Sequence, residues 1–369
     1  MKRKFWTSDW FFVLVIALIF ILGSGSATIV GLERSVYDIG VRTADQVPGD
    51  RVAIIAIDDQ SIENLGRWPW PRDIQADMIE KLRGAGAKVI GLTLLMSEPQ
   101  TDPGLVEIQR LQDFYLNSSL SQLPEDDLHS QDLVSLGNQL QEAEVALSTD
   151  ARLAQSIRRA GNVVLPMQMV DGNPIGRPDN LLPEYILSQQ LAISGSLSGL
   201  PRQTIAVYPP IEEFSQGADA IGHIVSFLDL DGGLRTEPLA LSYYGELYPS
   251  FALQVAAQSL NLGVEDILIT DQGVQLGNLS IGTNPDLTMN TFFYTGPDNR
   301  SAFTTDSFFD VFVGRIDPNK YRDKVVLIGA TAFGLGSSLK TPLSQPVHPV
   351  EISAHTVASI LNEDFFISP

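Results

Sequence analysis

The sequence contains no cysteine among its 369 residues, which excludes disulfide bonds, thiolate metal sites and cysteine nucleophiles. Basic side chains are scarce as well: 24 lysine and arginine residues stand against 44 aspartate and glutamate residues, for a formal net charge of −20. A nucleic-acid partner is therefore not expected, because binding phosphates requires clustered lysine and arginine. An acidic surface of this kind keeps a protein soluble and is compatible with small neutral or cationic ligands.

Charged residues make up only 18% of the chain, against 44% hydrophobic residues, so a folded protein with a substantial core is expected. Residues 10–32 contain no charged side chain, and the first part of this segment, Trp10–Leu22, is almost wholly apolar. A helix over residues 10–32 would be about 34 Å long, and the hydrocarbon core of a bilayer is about 30 Å thick. The segment therefore predicts one transmembrane helix in contact with the lipid bilayer.

The flanks of this segment predict its orientation. Basic residues at positions 2–4 precede it and should stay in the cytoplasm. Residues 1–9 are then a cytoplasmic basic tail, and residues 33–369 form an extracytoplasmic domain at the cell membrane. The small residues at 23–27 leave open a cleavable signal peptide instead of an anchor. Both interpretations predict that the body of the protein is exported.

The body begins with a strand–helix–strand pattern. The apolar runs Val52–Ile57 and Lys88–Leu95 predict buried strands, and a helix over residues 73–86 separates them. Such a unit implies a parallel pair with a right-handed crossover. Lys324–Ala330 predicts a late strand, which a glycine-rich turn and a helix over about 350–361 follow.

Between these two regions the sequence predicts insertions. Residues 101–160 are rich in Gln, Asp, Ser and Leu and predict a helical insertion, with helices near 105–116, 132–147 and 150–160. Residues 221–243 predict a hairpin around a turn at 229–233. The predicted fold class is α/β: a largely parallel central sheet with flanking helices and inserted hairpins, preceded by one transmembrane helix.

Polar residues follow three of the predicted strands. Asp58 and Asp59 come directly after the first strand, Thr93 lies near the end of the second, and Thr331 follows the late one. Because the carboxyl ends of parallel strands face one crevice, these residues are candidates for ligand binding or signalling. The alternative, which we favour for the two aspartates, is that one of them caps a short helix over residues 60–65. The two roles are compatible.

The segment 67–72 combines two tryptophans, two arginines and two prolines. The prolines fix the backbone and exclude a regular helix or central strand, so the other side chains stand on a stiff loop. They could form an aromatic lid that binds an anion or carboxylate. Alternatively, and preferably, the tryptophans pin the loop over the first helix, while the arginines stack on them or pair with Asp58, Asp59 or Asp73. The candidate residues are Arg67, Trp68, Trp70 and Arg72.

Other motifs fall short of known sites. Gly329–Gly336 lacks the Lys and Ser/Thr that a phosphate-binding loop needs, and Asp229–Gly232 lacks the further carboxylates of a calcium loop. The histidines show no zinc-binding spacing. No catalytic constellation is recognisable, so neither a cofactor nor a metal is expected.

Three groups of motifs together resemble the second subtype of the CHASE sensory domain, the extracellular module associated with cyclases and histidine kinases. The opening group comprises Asp58-Asp59, Gly66–Arg72 and Lys88–Gly91. The middle group comprises Ile221–Ile224, Asp229–Gly232 and Arg235. The closing group comprises Val325–Thr331, Thr341-Pro342 and Val350–Ile352. The resemblance covers about residues 30–369, and His223 in the middle group joins the candidates for ligand binding or signalling.

The resemblance implies the sensor portion of a bacterial transmembrane receptor. Such receptors have one amino-terminal membrane helix, this extracytoplasmic domain, three further membrane helices and a cytoplasmic output domain such as an adenylate or guanylate cyclase, a kinase or a diguanylate cyclase. The chain itself is then a sensor of an unknown small molecule or stimulus and not an enzyme, and a homodimer is expected. The alternatives are a stand-alone binding protein, anchored or secreted, and a hydrolase that uses Asp58 or Asp59.

Two departures from the family pattern bear on the ligand. Members of the family often carry Asp where Thr93 stands here. Their closing helix usually begins Gly-Val-Glu-Ile-His-Ala-Asn, whereas this chain has Pro349-Val-Glu-Ile-Ser-Ala-His355. If these positions contact the ligand, its chemistry differs in this protein.

Overall fold

The computed structural model describes most of the chain. The described residues are 10–14, 27–44, 46–100, 102–118, 129–178, 181–195, 197, 199–296 and 300–366. None of the helices within these ranges is both long enough and apolar enough to cross a membrane. The middle of the predicted span, residues 15–26, lies outside the described residues, so the transmembrane helix over residues 10–32 stays a prediction.

Helices and strands alternate through much of the body. The helices are α1 (Ala27–Thr43), α2 (Asp59–Leu65), α3 (Arg72–Ala85), α4 (Pro103–Asn117), α5 (Ser130–Leu147), α6 (Thr149–Ala160), α7 (Glu184–Leu187), α8 (Glu212–Ser215), α9 (Phe251–Ser259), α10 (Phe308–Phe312) and α11 (Pro349–Asn362). The strands are β1 (Val52–Ile57), β2 (Val89–Leu92), β3 (Val163–Asp171), β4 (Ala192–Ile193), β5 (Gln203–Tyr208), β6 (Ala220–His223), β7 (Thr236–Pro238), β8 (Ala240–Tyr243), β9 (Glu246–Pro249), β10 (Ile267–Thr270), β11 (Gly273–Leu276), β12 (Leu279–Gly282), β13 (Thr288–Thr291), β14 (Thr304–Ser307), β15 (Val325–Ala330) and β16 (Phe365–Phe366).

A nine-stranded sheet forms the centre, in the order β14-β1-β15-β2-β3-β5-β8-β9, with β6 also paired to β3. The pairs from β14 through β3, and the β3–β6 pair, are parallel. Antiparallel pairing enters at β3–β5 and β8–β9. The predicted α/β class, with a largely parallel central sheet and flanking helices, is confirmed.

The predicted hairpin over residues 221–243 is wrong. β6 pairs in parallel with β3, and after the turn β7 pairs with β13 while β8 pairs with β5 and β9. The backbone at the start of α9 lies so close to β6 that a Cβ atom added at Gly222 would be 2.5 Å from the Phe251 nitrogen. Ser250, directly before α9, forms a parallel bridge with His223, so this segment and not a returning strand lies beside β6.

Both faces of the sheet are buried, which explains why its strands are continuous apolar runs. Along β1, Val52 and Ile54 pack on the side of α9 and α11, and Ala53, Ile55 and Ile57 pack on the side of α3 and α6. The helical insertion is built differently, since α4 buries none of its residues and packs chiefly on α5.

Helix α1 packs at one end of the body. Its Val41 side chain is 2% exposed and lies in an apolar cluster with Leu234, Phe293, Val347 and Ile352. Short strand β16 pairs with β13 in the same region. The part of α1 beyond the predicted membrane span is therefore packed on the folded body.

A carboxylate is buried near the start of α11. Glu237 on β7 is 8% exposed, and its carboxylate makes no hydrogen bond or ion pair with any residue in the described ranges. It lines a small cavity of about 150 Å³ together with Ser226 and Ser353. Burial disfavours the charged form and raises the pKa of Glu237 from 4.5 to about 8.

We predict that Glu237 makes the protein less stable as the pH rises. Between about pH 4.5 and pH 8 the folded protein holds a proton on Glu237 that the unfolded chain has lost, so stability falls across this interval. Glu237→Gln removes the ionisable group, so the free energy of unfolding of the variant should exceed that of the wild type by at least about 1 kcal/mol at pH 9.

Urea unfolding at pH 4 and pH 9 measures this difference, with Glu63→Gln on the exposed side of α2 as the matched control. The difference in free energy of unfolding between the Glu63→Gln variant and the wild type should be the same at both pH values. A Glu237→Gln difference that does not grow with pH would contradict the prediction.

Candidate functional site

Two of the predicted site residues meet at the carboxyl ends of the parallel strands. Asp59 and Thr331 line an open cavity of about 660 Å³, which we name the strand-end crevice; its other lining residues are 332–338 and His348. The Asp59 Oδ1 atom accepts a hydrogen bond from the Phe333 amide at 3.0 Å. The crevice expected from the strand order exists, with one carboxylate at its edge.

The side chain of Asp58 has a structural role. Its Oδ1 atom accepts hydrogen bonds from the Ser61 amide at 2.9 Å, the Ser61 hydroxyl at 2.5 Å and the Ser307 hydroxyl at 2.9 Å. It is the N-cap of α2, and Gly66 with φ of 99° ends that helix. The favoured interpretation of Asp58 as a cap is confirmed.

Thr93 lies at the end of β2 but is used inside the sheet. Its hydroxyl donates to the Ile328 carbonyl at 3.1 Å, and it is not among the residues that line the crevice. A Cβ atom at Gly329 would collide with this hydroxyl, so the two strands touch at Thr93. The structure does not bring Thr93 together with Asp59 and Thr331 around the crevice.

The tryptophan loop is fixed by packing. Trp70 is 1% exposed, and its Nε1 atom donates to the Gly66 carbonyl at 2.7 Å. Its ring packs on Trp68 and Phe308 at centroid distances of 5.1 and 5.2 Å. These contacts support the structural interpretation of the two tryptophans.

The arginines of this loop behave differently from the prediction. Arg72 pairs with Asp150 at 2.8 Å and stands over the Phe214 ring at 4.9 Å. Its expected pairing with Asp58, Asp59 or Asp73 is wrong, because α6 presents Asp150 directly to the guanidinium. Arg67 is exposed. Neither arginine lines the strand-end crevice.

His223 is enclosed within the sheet. It is 0% exposed, and neither ring nitrogen has a hydrogen-bond partner in the described part of the chain. Burial lowers the pKa of His223 to about 3, so the ring is neutral. It does not reach the crevice, and its role in ligand binding or signalling stays a prediction.

A second cavity, of about 510 Å³, lies between α1 and the start of α11, and we name it the α1–α11 cavity. Its lining residues are Arg42, Thr295, Gly296, Arg300–Ala302, Leu343–His348, Glu351 and His355. His348 lines both this cavity and the strand-end crevice, so the two are neighbours. Sequence reasoning missed this cavity. The available signal was the spacing of Glu351 and His355, which are four residues apart and lie on one face of α11.

His355 is a buried residue of this cavity. It is 2% exposed, and its Nδ1 atom accepts a hydrogen bond from the Tyr294 amide at 3.1 Å. Its ring packs against Phe293, Tyr294 and Phe303. Burial lowers the pKa of His355 to about 3, so the ring is neutral and carries its proton on Nε2.

Beside the α1–α11 cavity, a buried guanidinium ties α1 to the body. Arg235 is bound by both oxygens of Asp38 at 2.8 Å, by Asp229 at 2.7 Å and by both oxygens of Asp231 at 3.0 Å. The hydrogen bonds to Asp38 raise the pKa of Arg235 further above its usual range, and the hydrogen bond from Arg235 holds the pKa of Asp231 well below its usual range. Arg34 on α1 also approaches Asp229, at 3.4 Å.

Helix α1 also contacts the last described strand. The Tyr37 hydroxyl donates to the Thr291 carbonyl at 2.9 Å, and its ring lies 5.7 Å from that of Phe366 on β16. Thr291 pairs in turn with Phe365. The segment that follows the predicted membrane span and a segment near residue 369 are thus neighbours.

The site contains no evident metal centre. Over the residues that the structure describes, no group of three or more histidine, aspartate or glutamate side chains is arranged to hold a metal ion. The arrangement instead offers two adjoining cavities at one end of the sheet, one of which includes a side chain of α1.

Comparison with known proteins identifies the family. The family model of the CHASE2 domain matches residues 12–369, which is nearly the whole chain. Neither a curated protein nor a solved structure matches the sequence. The resemblance inferred from the three groups of motifs is confirmed. The chain belongs to the CHASE2 family, whose members are extracellular sensory domains found in receptors.

Proposed function

We propose that this protein is the ligand-sensing part of a bacterial membrane receptor, with the α1–α11 cavity as its stimulus site. The observation that carries the proposal is Arg42, which lies on α1 and forms part of the cavity wall. Helix α1 begins at Ala27, within the end of the predicted membrane span, and continues beyond it to Thr43. A ligand that contacts Arg42 therefore acts on the segment that leads into the membrane.

The contacts around α1 supply a route for the signal. Arg235 holds α1 through Asp38, and Tyr37 touches Phe366 on β16. A displacement of α1 caused by the ligand changes its position against β16. Packed contacts of this kind have discrete arrangements, which is what a two-state switch requires.

The proposed topology follows the charge distribution of the amino-terminal segment. Residues 1–9 remain in the cytoplasm, residues 10–32 cross the bilayer, and residues 33–369 lie outside. We propose that the sensor regulates a cytoplasmic nucleotide cyclase or protein kinase, as its family resemblance implies.

A stand-alone binding protein uses the same cavity without such an output. A hydrolase has less support, because the hydrogen bonds of Asp58 are committed to the helix cap and the adjoining strand.

We propose further that two copies pair along α1. The side chains of Val36 and Ile39 are 61% and 58% exposed, while Asp38 and Val41 face the body. In the sequence, residues follow one another at alternating spacings of three and four at Ile29, Leu32, Val36, Ile39 and Thr43. This is the spacing of a coiled-coil seam. Two copies anchored in one membrane by the same segment present Val36 and Ile39 in parallel, so a second copy of the chain is their partner.

The topology is tested with single cysteines, because the natural chain has none. Gln272→Cys lies on the exposed turn between β10 and β11 and should react with a membrane-impermeant maleimide in intact spheroplasts. Lys4→Cys, the matched control in the basic tail, should react only after permeabilisation. Protection of position 272 in intact spheroplasts would contradict the extracytoplasmic assignment.

The pairing of α1 is tested by disulfide formation in the membrane. A disulfide forms only where Cα atoms approach within about 7 Å, so Val36→Cys and Ile39→Cys should give covalent dimers under mild oxidation. The control is Gln272→Cys, which is exposed and extracytoplasmic in the same topology but lies off α1. Equal cross-linking at position 272, or none at positions 36 and 39, would contradict this interface.

A further inference from the structure

The walls of the α1–α11 cavity carry a charge pattern opposite to that of the whole chain. Two arginines, Arg42 and Arg300, and two histidines line it, and Glu351 is the one carboxylate among its described lining residues. Neither arginine makes an ion pair with the described residues, although the protein carries a net charge of −20. Both guanidiniums therefore remain available to a molecule in the cavity.

The carboxylate of Glu351 is already engaged. Its Oε2 atom accepts a hydrogen bond from the His348 amide at 3.2 Å, in the first turn of α11. This contact satisfies one of the backbone N–H groups that a helix start leaves unpaired. The positive end of the fourteen-residue helix α11 lies at the same wall and favours negative charge there.

Each histidine of the cavity has a ring nitrogen without a partner. The Nδ1 atom of His348 is buried and has no hydrogen-bond partner in the described chain. His355, with 98% of its surface buried, uses Nδ1 to accept from the Tyr294 amide, which leaves its Nε2–H group as a donor without an acceptor among the described residues. Buried polar groups in native proteins are rarely left unpaired, so an unpaired donor at a cavity wall indicates a ligand acceptor.

We infer that the α1–α11 cavity binds a small organic anion with a carboxylate or phosphate group, held between Arg42 of α1 and Arg300 and His355 of the body. This inference rests on the proposed function of the cavity and adds the class of its ligand. The volume of about 510 Å³ is in the range of small-molecule sites. The apolar side chains of Leu343, Pro346 and Val347 are placed to contact the uncharged part of the ligand.

An anion in this position also explains how a stimulus reaches α1. Arg42 belongs to α1, whereas Arg300 and His355 belong to the body. An oxyanion shared between them attracts both sides of the cavity at once, and charge-assisted hydrogen bonds are the strong ones. Binding therefore draws α1 towards the start of α11, and loss of the anion releases it.

Thermal unfolding of the full chain in detergent tests the ligand class with probes of equal shape. Benzoate, benzamide and benzamidinium share one ring and carry a negative, a zero and a positive charge, and inorganic phosphate adds a second oxyanion. At constant ionic strength, benzoate or phosphate at ten times its Kd should raise the Tm by about 2 °C, and the neutral and cationic probes should not.

Substitutions test whether the anion binds in the α1–α11 cavity. Arg42→Gln and Arg300→Gln should each weaken anion binding at least about 10-fold, because each removes a hydrogen bond to a charged group. Arg177→Gln, an exposed arginine on a distant loop, is the matched control and should bind as the wild type does.

The outcomes separate this inference from the function on which it rests. Binding of benzamide or benzamidinium that depends on Arg42 would keep the cavity as a ligand site and overturn its assignment to anions. If an anion raises the Tm equally in the wild type and in the Arg42→Gln and Arg300→Gln variants, it acts only by screening surface charges, and the inference is overturned. Absence of any anion-specific shift up to 20 mM would overturn it as well.

Discussion

The attachment of α1 to the body depends on one buried guanidinium. Arg235 is 6% exposed, and each of its five N–H groups donates to Asp38, Asp229 or Asp231. A buried charge is tolerated only when such partners replace its hydration. Removing one partner of a buried pair leaves an uncompensated charge and costs about 3–5 kcal/mol. Since Asp38 alone among these carboxylates belongs to α1, detaching α1 exposes Arg235 to this penalty.

This attachment of α1 also fixes one wall of the α1–α11 cavity. Arg42 lies on α1 one helical turn after Asp38. Because α1 is held at Asp38, Arg42 is held at the wall of the α1–α11 cavity. Tyr37, on the same helix, contacts Phe366 of β16. The wall of the cavity, the segment that leads to the predicted membrane span and a strand near residue 369 are therefore connected through a single helix. In the proposed receptor, this helix is the part that transmits binding outside to the membrane.

Local sequence patterns predicted those features that depend on neighbouring residues. The apolar runs at β1, β2 and β15, the cap at Asp58 and the packed role of Trp70 are of this kind. The hairpin failed because β6 pairs with β3, more than fifty residues earlier in the chain. The α1–α11 cavity was missed because it joins Arg42 to residues more than 250 positions later, and Asp38 to Arg235 spans 197 positions. Periodicity and motif spacing carry no information on contacts of that range.

The central claim, that Arg235 fixes α1 to the sensor body, is tested most directly by hydrogen–deuterium exchange of the full chain with Asp38→Asn. The claim predicts that backbone amides of residues 34–43 exchange at least about 10-fold faster than in the wild type, while those of α9 and α11 keep their rates. Asp50→Asn, which removes an exposed partner of Lys324, should leave α1 unchanged. Unaltered exchange of α1 in the Asp38→Asn variant would contradict the claim.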